Sequence, residues 1–81
     1  MKIIINEYDF LTYDVILKSG DNIISKDENL NEMEAESCLL ALYYDYKLPK
    51  RTKVINHVYQ SGKLQDTYKM TFDELFPDDC E

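Results

Sequence analysis

Only two glycines occur in these 81 residues, and each follows a serine: Ser19-Gly20 in "DVILKSGDNIIS" and Ser61-Gly62 in "INHVYQSGKLQDTYKMTF". Each pair divides two runs rich in β-branched and aromatic residues. A two-residue hairpin loop needs positive φ, which glycine adopts without a Cβ clash. Two β-hairpins are therefore expected, and the segment between them must carry the chain from one to the other.

That segment reads as a helix. "DENLNEMEAES" supplies Asn29 and Asn31 as N-cap candidates with Glu32 and Glu34 three residues on, and it sets carboxylates at the positive end of the helix dipole. Lys47 suits the other end and Pro49 stops the run, so the helix is expected over 31–47. The tail "TFDELFPDDCE" has its own capping box, Thr71 to Glu74, for one short helical turn before Pro77.

The order is β-β-α-β-β, with "MKIIIN" as an extra edge strand or an N-terminal arm. The expected fold is α+β: a small antiparallel sheet with the central helix packed on one face. A chain this short holds one domain, 1–81, with 77–81 a frayed acidic tail.

Strand periodicity assigns faces. On the last strand Leu64, Tyr68, Met70 and Phe72 share the buried side, and Gln65, Thr67, Lys69 and Thr71 the wet side. The preceding strand is apolar on both sides, with Val54 and Val58 opposite Ile55 and Tyr59, which suits a central position.

The helix is apolar on more than one side. Ala35, Cys38, Leu39, Leu42, Tyr43 and Tyr46 form a broad stripe for the sheet, while Met33, Leu40 and Tyr44 lie nearly opposite. The second stripe needs a cover. The candidates are the chain's own "IIINEYDFL" or "FDELF", a second copy meeting it at Met33, Leu40 and Tyr44 about a two-fold axis, or a foreign partner.

Net charge is −7. Such a surface repels a nucleic-acid duplex and an anionic membrane, so the favoured partners are cationic. Acids gather at Asp27, Glu28, Glu32, Glu34 and Glu36, and again at Asp73, Glu74, Asp78, Asp79 and Glu81. Brought to one side, these carboxylates would imitate a phosphate backbone and fill the groove of a nucleic-acid-binding protein. Taken one cluster at a time, the simpler reading is a solvated helix start and an acidic tail. The basic segment "KLPKRTK", 47–53, reads as a solubilising loop; a contact for an acidic partner or single-stranded nucleic acid, with Tyr59 or Tyr68 stacking, is opposed by the overall charge.

Catalytic and metal chemistry find little support. The single histidine, His57, falls mid-strand, and Cys38 sits among apolar residues as a small core thiol. Asp27, Asn29 and Asn31 imitate the first ligands of a calcium loop, but Glu32 stands where the sharp turn needs glycine and Cys38 where a bidentate carboxylate belongs. The expectation is a non-enzyme without metal or cofactor. Two cysteines, Cys38 and Cys80, and an N-terminus too short for an export signal or membrane span point to the reducing cytoplasm of a bacterial host.

The short, acidic, tyrosine-rich profile, high in Ile, Asn, Lys and Tyr, resembles that of accessory proteins of bacteriophages and mobile elements. The resemblance carries no residues over. It implies an inhibitor of a basic nucleic-acid-handling host protein, of anti-CRISPR or anti-restriction type, with a homodimeric structural or regulatory module as the alternative.

Overall fold

The computed structural model describes residues 1–76. Its elements are β1 (Lys2–Tyr8), a tight turn at Asp9–Leu11, β2 (Thr12–Ser19), β3 (Asn22–Leu30), α1 (Glu32–Asp45), β4 (Lys53–Gln60), β5 (Lys63–Thr71) and α2 (Phe72–Leu75). The fold is α+β, one sheet with one main helix.

Both hairpins form. The β4–β5 loop is Ser61-Gly62, with both residues at positive φ (54° and 80°), the type I′ pattern. In the β2–β3 loop the paired flanks are Ser19 and Asn22, so its central residues are Gly20-Asp21 and only Gly20 has positive φ.

The N-terminal segment departs from expectation. It is neither an edge strand nor an arm: β1 is the middle strand of a five-stranded sheet ordered β3-β2-β1-β4-β5. It pairs antiparallel with β2 and parallel with β4, so the sheet is mixed rather than antiparallel. Three consecutive isoleucines explain the placement. Ile3 and Ile5 are buried on one face and Ile4 is half-buried on the other, a pattern suited to an interior strand. The edge strands β3 and β5 carry charges and bulges, which discourage pairing with other chains.

The core lies between the sheet and α1. Ile3, Ile5, Val15, Leu17 and Val54 from the sheet meet Ala35, Leu39 and Leu42 from the helix, closed by Leu48 and Phe72. Of the expected helix stripe, Cys38 and Tyr43 are partly buried and Tyr46 is exposed. The last-strand pattern fails at a bulge: β5 slips register between Val58 and Tyr59, which pairs Leu64 with Tyr59, while Tyr68 pairs with Asn56. Leu64 and Tyr68 therefore leave opposite faces of the sheet, and both are half exposed.

Helix α1 starts on Asn31, whose Oδ1 accepts from the Glu34 N–H at 2.7 Å while Glu34 Oε1 accepts from the Asn31 N–H at 3.0 Å. It ends in a Schellman arrangement. The Leu48 N–H donates to the Tyr43 carbonyl at 3.0 Å and the Lys47 N–H to the Tyr44 carbonyl at 3.4 Å, with Lys47 at φ 52°. Lys47, expected to close the last turn, instead supplies the left-handed cap position two residues past Asp45. The second helix, α2, caps on Thr71 and stacks Phe72 on Tyr43, ring centroids 4.5 Å apart. No helix among the described residues is long and apolar enough to cross a membrane.

Candidate functional site: a two-faced charge distribution

Strand register sorts the charged residues by face, because directly paired residues project to the same side of a sheet. On the helix side, Glu7 pairs with Tyr13 and with Val58, and Val58 pairs in turn with Asp66. The first turns of α1 rise over this end of the sheet. Glu7, Glu32 and Glu36 line one groove with Tyr13, Asn56 and Phe76. No lysine or arginine lines it.

Two observations report the field there. Burial raises the Tyr13 phenol above its ordinary value, and the nearby Glu7 and Glu32 carboxylates raise it further. Asn56 Oδ1 is buried with no hydrogen-bond partner among the described residues. The groove therefore offers carboxylate acceptors suited to a guanidinium or ammonium group, with the unmet Asn56 acceptor buried beneath them.

The remaining acidic residues named from the sequence are scattered around this groove. Asp27, on β3, accepts a weak hydrogen bond from Cys38 Sγ at 3.1 Å. Burial first, then that hydrogen bond and the negative charge of Asp27, push the Cys38 thiol up to about 12. Glu28 pairs with Lys26 at 3.2 Å, and Glu34 is engaged in the helix cap. Asp73 and Glu74 do not join the helix-start acids. On α2, Asp73 borders the cleft that holds Leu40, Tyr43 and Phe72, and Glu74 the cleft that holds Lys2, Lys53 and Lys69, while Leu75 and Phe76 of the same segment reach the groove. There Glu74 Oε1 accepts from the Thr71 N–H at 2.9 Å and Asp73 from the Thr71 hydroxyl. Asp78 and Asp79 lie outside the described residues.

Of the acids expected to form one row, Glu32 and Glu36 line this groove, and Asp73 and Glu74 border neighbouring clefts on α2. Sequence reasoning missed Glu7 and Asn56, which reach the groove only through strand pairing. The alternation of "INEY" placed Glu7 on the same face as Ile3 and Ile5, but the strand's central position was needed to give that meaning.

The second helix stripe is only partly covered. Leu40 is half-buried and shares a cleft with Tyr43, Phe72 and Phe76, so "FDELF" does fold back over it. Met33 and Tyr44 remain 80% and 70% exposed.

On the open face, His57 Nδ1 lies 3.1 Å from Thr67 Oγ1, and Tyr59 stacks on Tyr8 at 5.3 Å. Among the described residues no three His, Cys, Asp or Glu side chains converge to hold a metal ion. No protein-family model matches this chain, and neither curated proteins nor solved structures show a significant match.

Proposed function

We propose that this chain is a binding protein that docks its helix-start groove onto a basic, nucleic-acid-handling protein and competes there with nucleic acid. The observation that carries the reading is the groove itself: Glu7, Glu32 and Glu36 beside the unpartnered Asn56 Oδ1, with no cation among them. An arginine or lysine from a partner's nucleic-acid groove meets the charge and the carboxylate acceptors there. Opposite charge also speeds the encounter.

The profile resemblance to phage and mobile-element accessory proteins puts the partner among bacterial defence proteins, of CRISPR or restriction type, and the site of action in the host cytoplasm. The reading assigns no catalysis. A Cys38 thiol held near 12 is protonated at neutral pH and a poor nucleophile.

The test is inhibition. Purified protein is titrated into DNA-cleavage reactions of a panel of CRISPR effectors and restriction enzymes, and the inhibited enzyme is used for binding measurements. Exchanging Glu7, Glu32 and Glu36 for glutamine removes charge without touching the Glu34 cap. It is expected to weaken inhibition at least about tenfold and to flatten its salt dependence. Inhibition that is indifferent to these exchanges ends the proposal for this groove.

The exposure of Met33 and Tyr44 favours a second reading, a homodimer joined across α1 next to Leu40. Light scattering separates the two, since a monomer at tens of micromolar removes the dimer.

A further inference from the structure

The face of the sheet turned away from α1 gathers lysines at one end, while Asp9, Asp14 and Glu28 border a cleft with Tyr8 and Tyr59 at the other. Lys18, Lys2 and Lys53 are direct partners across β2, β1 and β4. One step along the same face, Ile16, Ile4 and Ile55 form a parallel row, ended by Lys26 on β3 and Lys69 on β5. Five of the nine basic residues of a chain with net charge −7 thus occupy one face.

Like charges set directly opposite on neighbouring strands, about 5 Å apart, oppose folding. Among the described residues Lys2, Lys18, Lys53 and Lys69 have no carboxylate within ion-pair distance, and of these five lysines Lys26 alone is paired, with Glu28. Glu74 borders the cleft that holds Lys2, Lys53 and Lys69, but its carboxylate accepts from the Thr71 N–H. Arg51 and Met1 border the lysine row at its end. Further along β4 the lysines give way to His57 and to Tyr59, whose ring is stacked on Tyr8 and borders the cleft of Asp9, Asp14 and Glu28.

We infer that this open sheet face binds single-stranded nucleic acid, with phosphates on the Lys2–Lys18–Lys53 row and bases against Ile16, Ile4 and Ile55 beside it. Charge complementarity selects an anion, and the flat aliphatic row beyond the lysines selects one with planar apolar groups between its charges. The net negative charge does not prevent this. At physiological salt the screening length is about 8 Å, so a strand on the lysine row is governed by the charges nearest to it, which are Lys2, Lys18 and Lys53. This inference is independent of the acidic groove.

Fluorescence anisotropy of labelled single strands of about 10 nucleotides tests it. Three lysine–phosphate contacts predict that affinity falls about 20-fold between about 50 and about 200 mM salt. Exchange of Lys2, Lys18 and Lys53 for glutamine is expected to weaken binding at least about tenfold at the lower salt. Because it relieves like-charge contacts, this variant is expected to melt no lower than the parent, so lost binding reflects lost contacts. The Glu7, Glu32 and Glu36 glutamine variant is expected to bind the strand as well as the parent or better, which separates this face from the groove. Absence of binding at the lower salt overturns the inference, as does equal binding by the lysine variant. So does equal affinity for poly-glutamate or for anionic phosphatidylserine vesicles. A lysine-dependent change in light-scattering mass would assign the face to a second copy of the chain and overturns it too.

Discussion

Tyr8 donates its phenolic proton to Asp14 Oδ2 at 2.9 Å, and Asp14 Oδ1 accepts from the Asn29 N–H at 3.2 Å. One buried carboxylate thereby ties together β1, β2 and the bulged end of β3, where Asn29 has φ 58°. The arrangement holds a polar group inside the open face at the end opposite the lysine row. Burial first, and the Asp14 hydrogen bond and charge after it, raise the Tyr8 phenol to about 12.

Tyr8→Phe keeps the ring stacked on Tyr59 and removes only the donor. Loss of a hydrogen bond to a buried carboxylate is expected to cost about 2 kcal/mol in urea denaturation. The sign of the pH effect follows from a folded-state pKa above the unfolded one. The contribution is complete below pH 10 and is lost as pH rises from 10 towards about 12. Tyr8→Phe is expected to flatten the stability profile in that window, and an unchanged profile would remove the assigned role of the phenol.

Cys38 is expected to resist thiol reagents. Its thiol is displaced from an ordinary 9.0 to about 12, so in a Cys80→Ser background at pH 8 the native protein should react slower than the urea-unfolded chain by a factor of about a hundred to a thousand. Equal rates would mean that Asp27 and burial do not hold the proton on sulfur.

Lys47 occupies a left-handed position where a side chain is strained by roughly 1 kcal/mol. Lys47→Gly is expected to raise stability by about 0.5–1 kcal/mol, since the Schellman bonds to Tyr43 and Tyr44 use only backbone. Thermal melting of the two proteins decides it, and a lower melting temperature in the glycine variant would contradict the cap geometry.

Asn56 carries a buried acceptor without a partner among the described residues, a cost that a binding surface tolerates and a purely structural one does not favour. Asn56→Leu is expected to stabilise the fold by about 1 kcal/mol while weakening capture of a cationic partner in the groove. Chemical denaturation and inhibition titration read the two effects separately. If stability falls, the amide is satisfied in solution and contributes to folding.

Much of the architecture was legible in the chain because it is encoded locally. The glycines fixed both hairpins by their φ requirement, Asn31 and Glu34 fixed the helix start by reciprocal capping, and Thr71 with Glu74 fixed α2. Local rules do not say which strand lies next to which. "MKIIIN" became the central strand because its isoleucines gain burial on both faces there, a gain that depends on β4 arriving alongside it.

The charge pattern followed from that choice. Residues distant in sequence, Glu7 with Glu32 on one side and Lys2 with Lys18 and Lys53 on the other, were brought together by strand register alone. In sequence the carboxylates form an acidic excess without direction. Tertiary structure gave it direction, gathering Glu7, Glu32 and Glu36 on one side and Lys2, Lys18 and Lys53 on the other, because a sheet sends alternate residues to opposite faces and α1 packs on one of them.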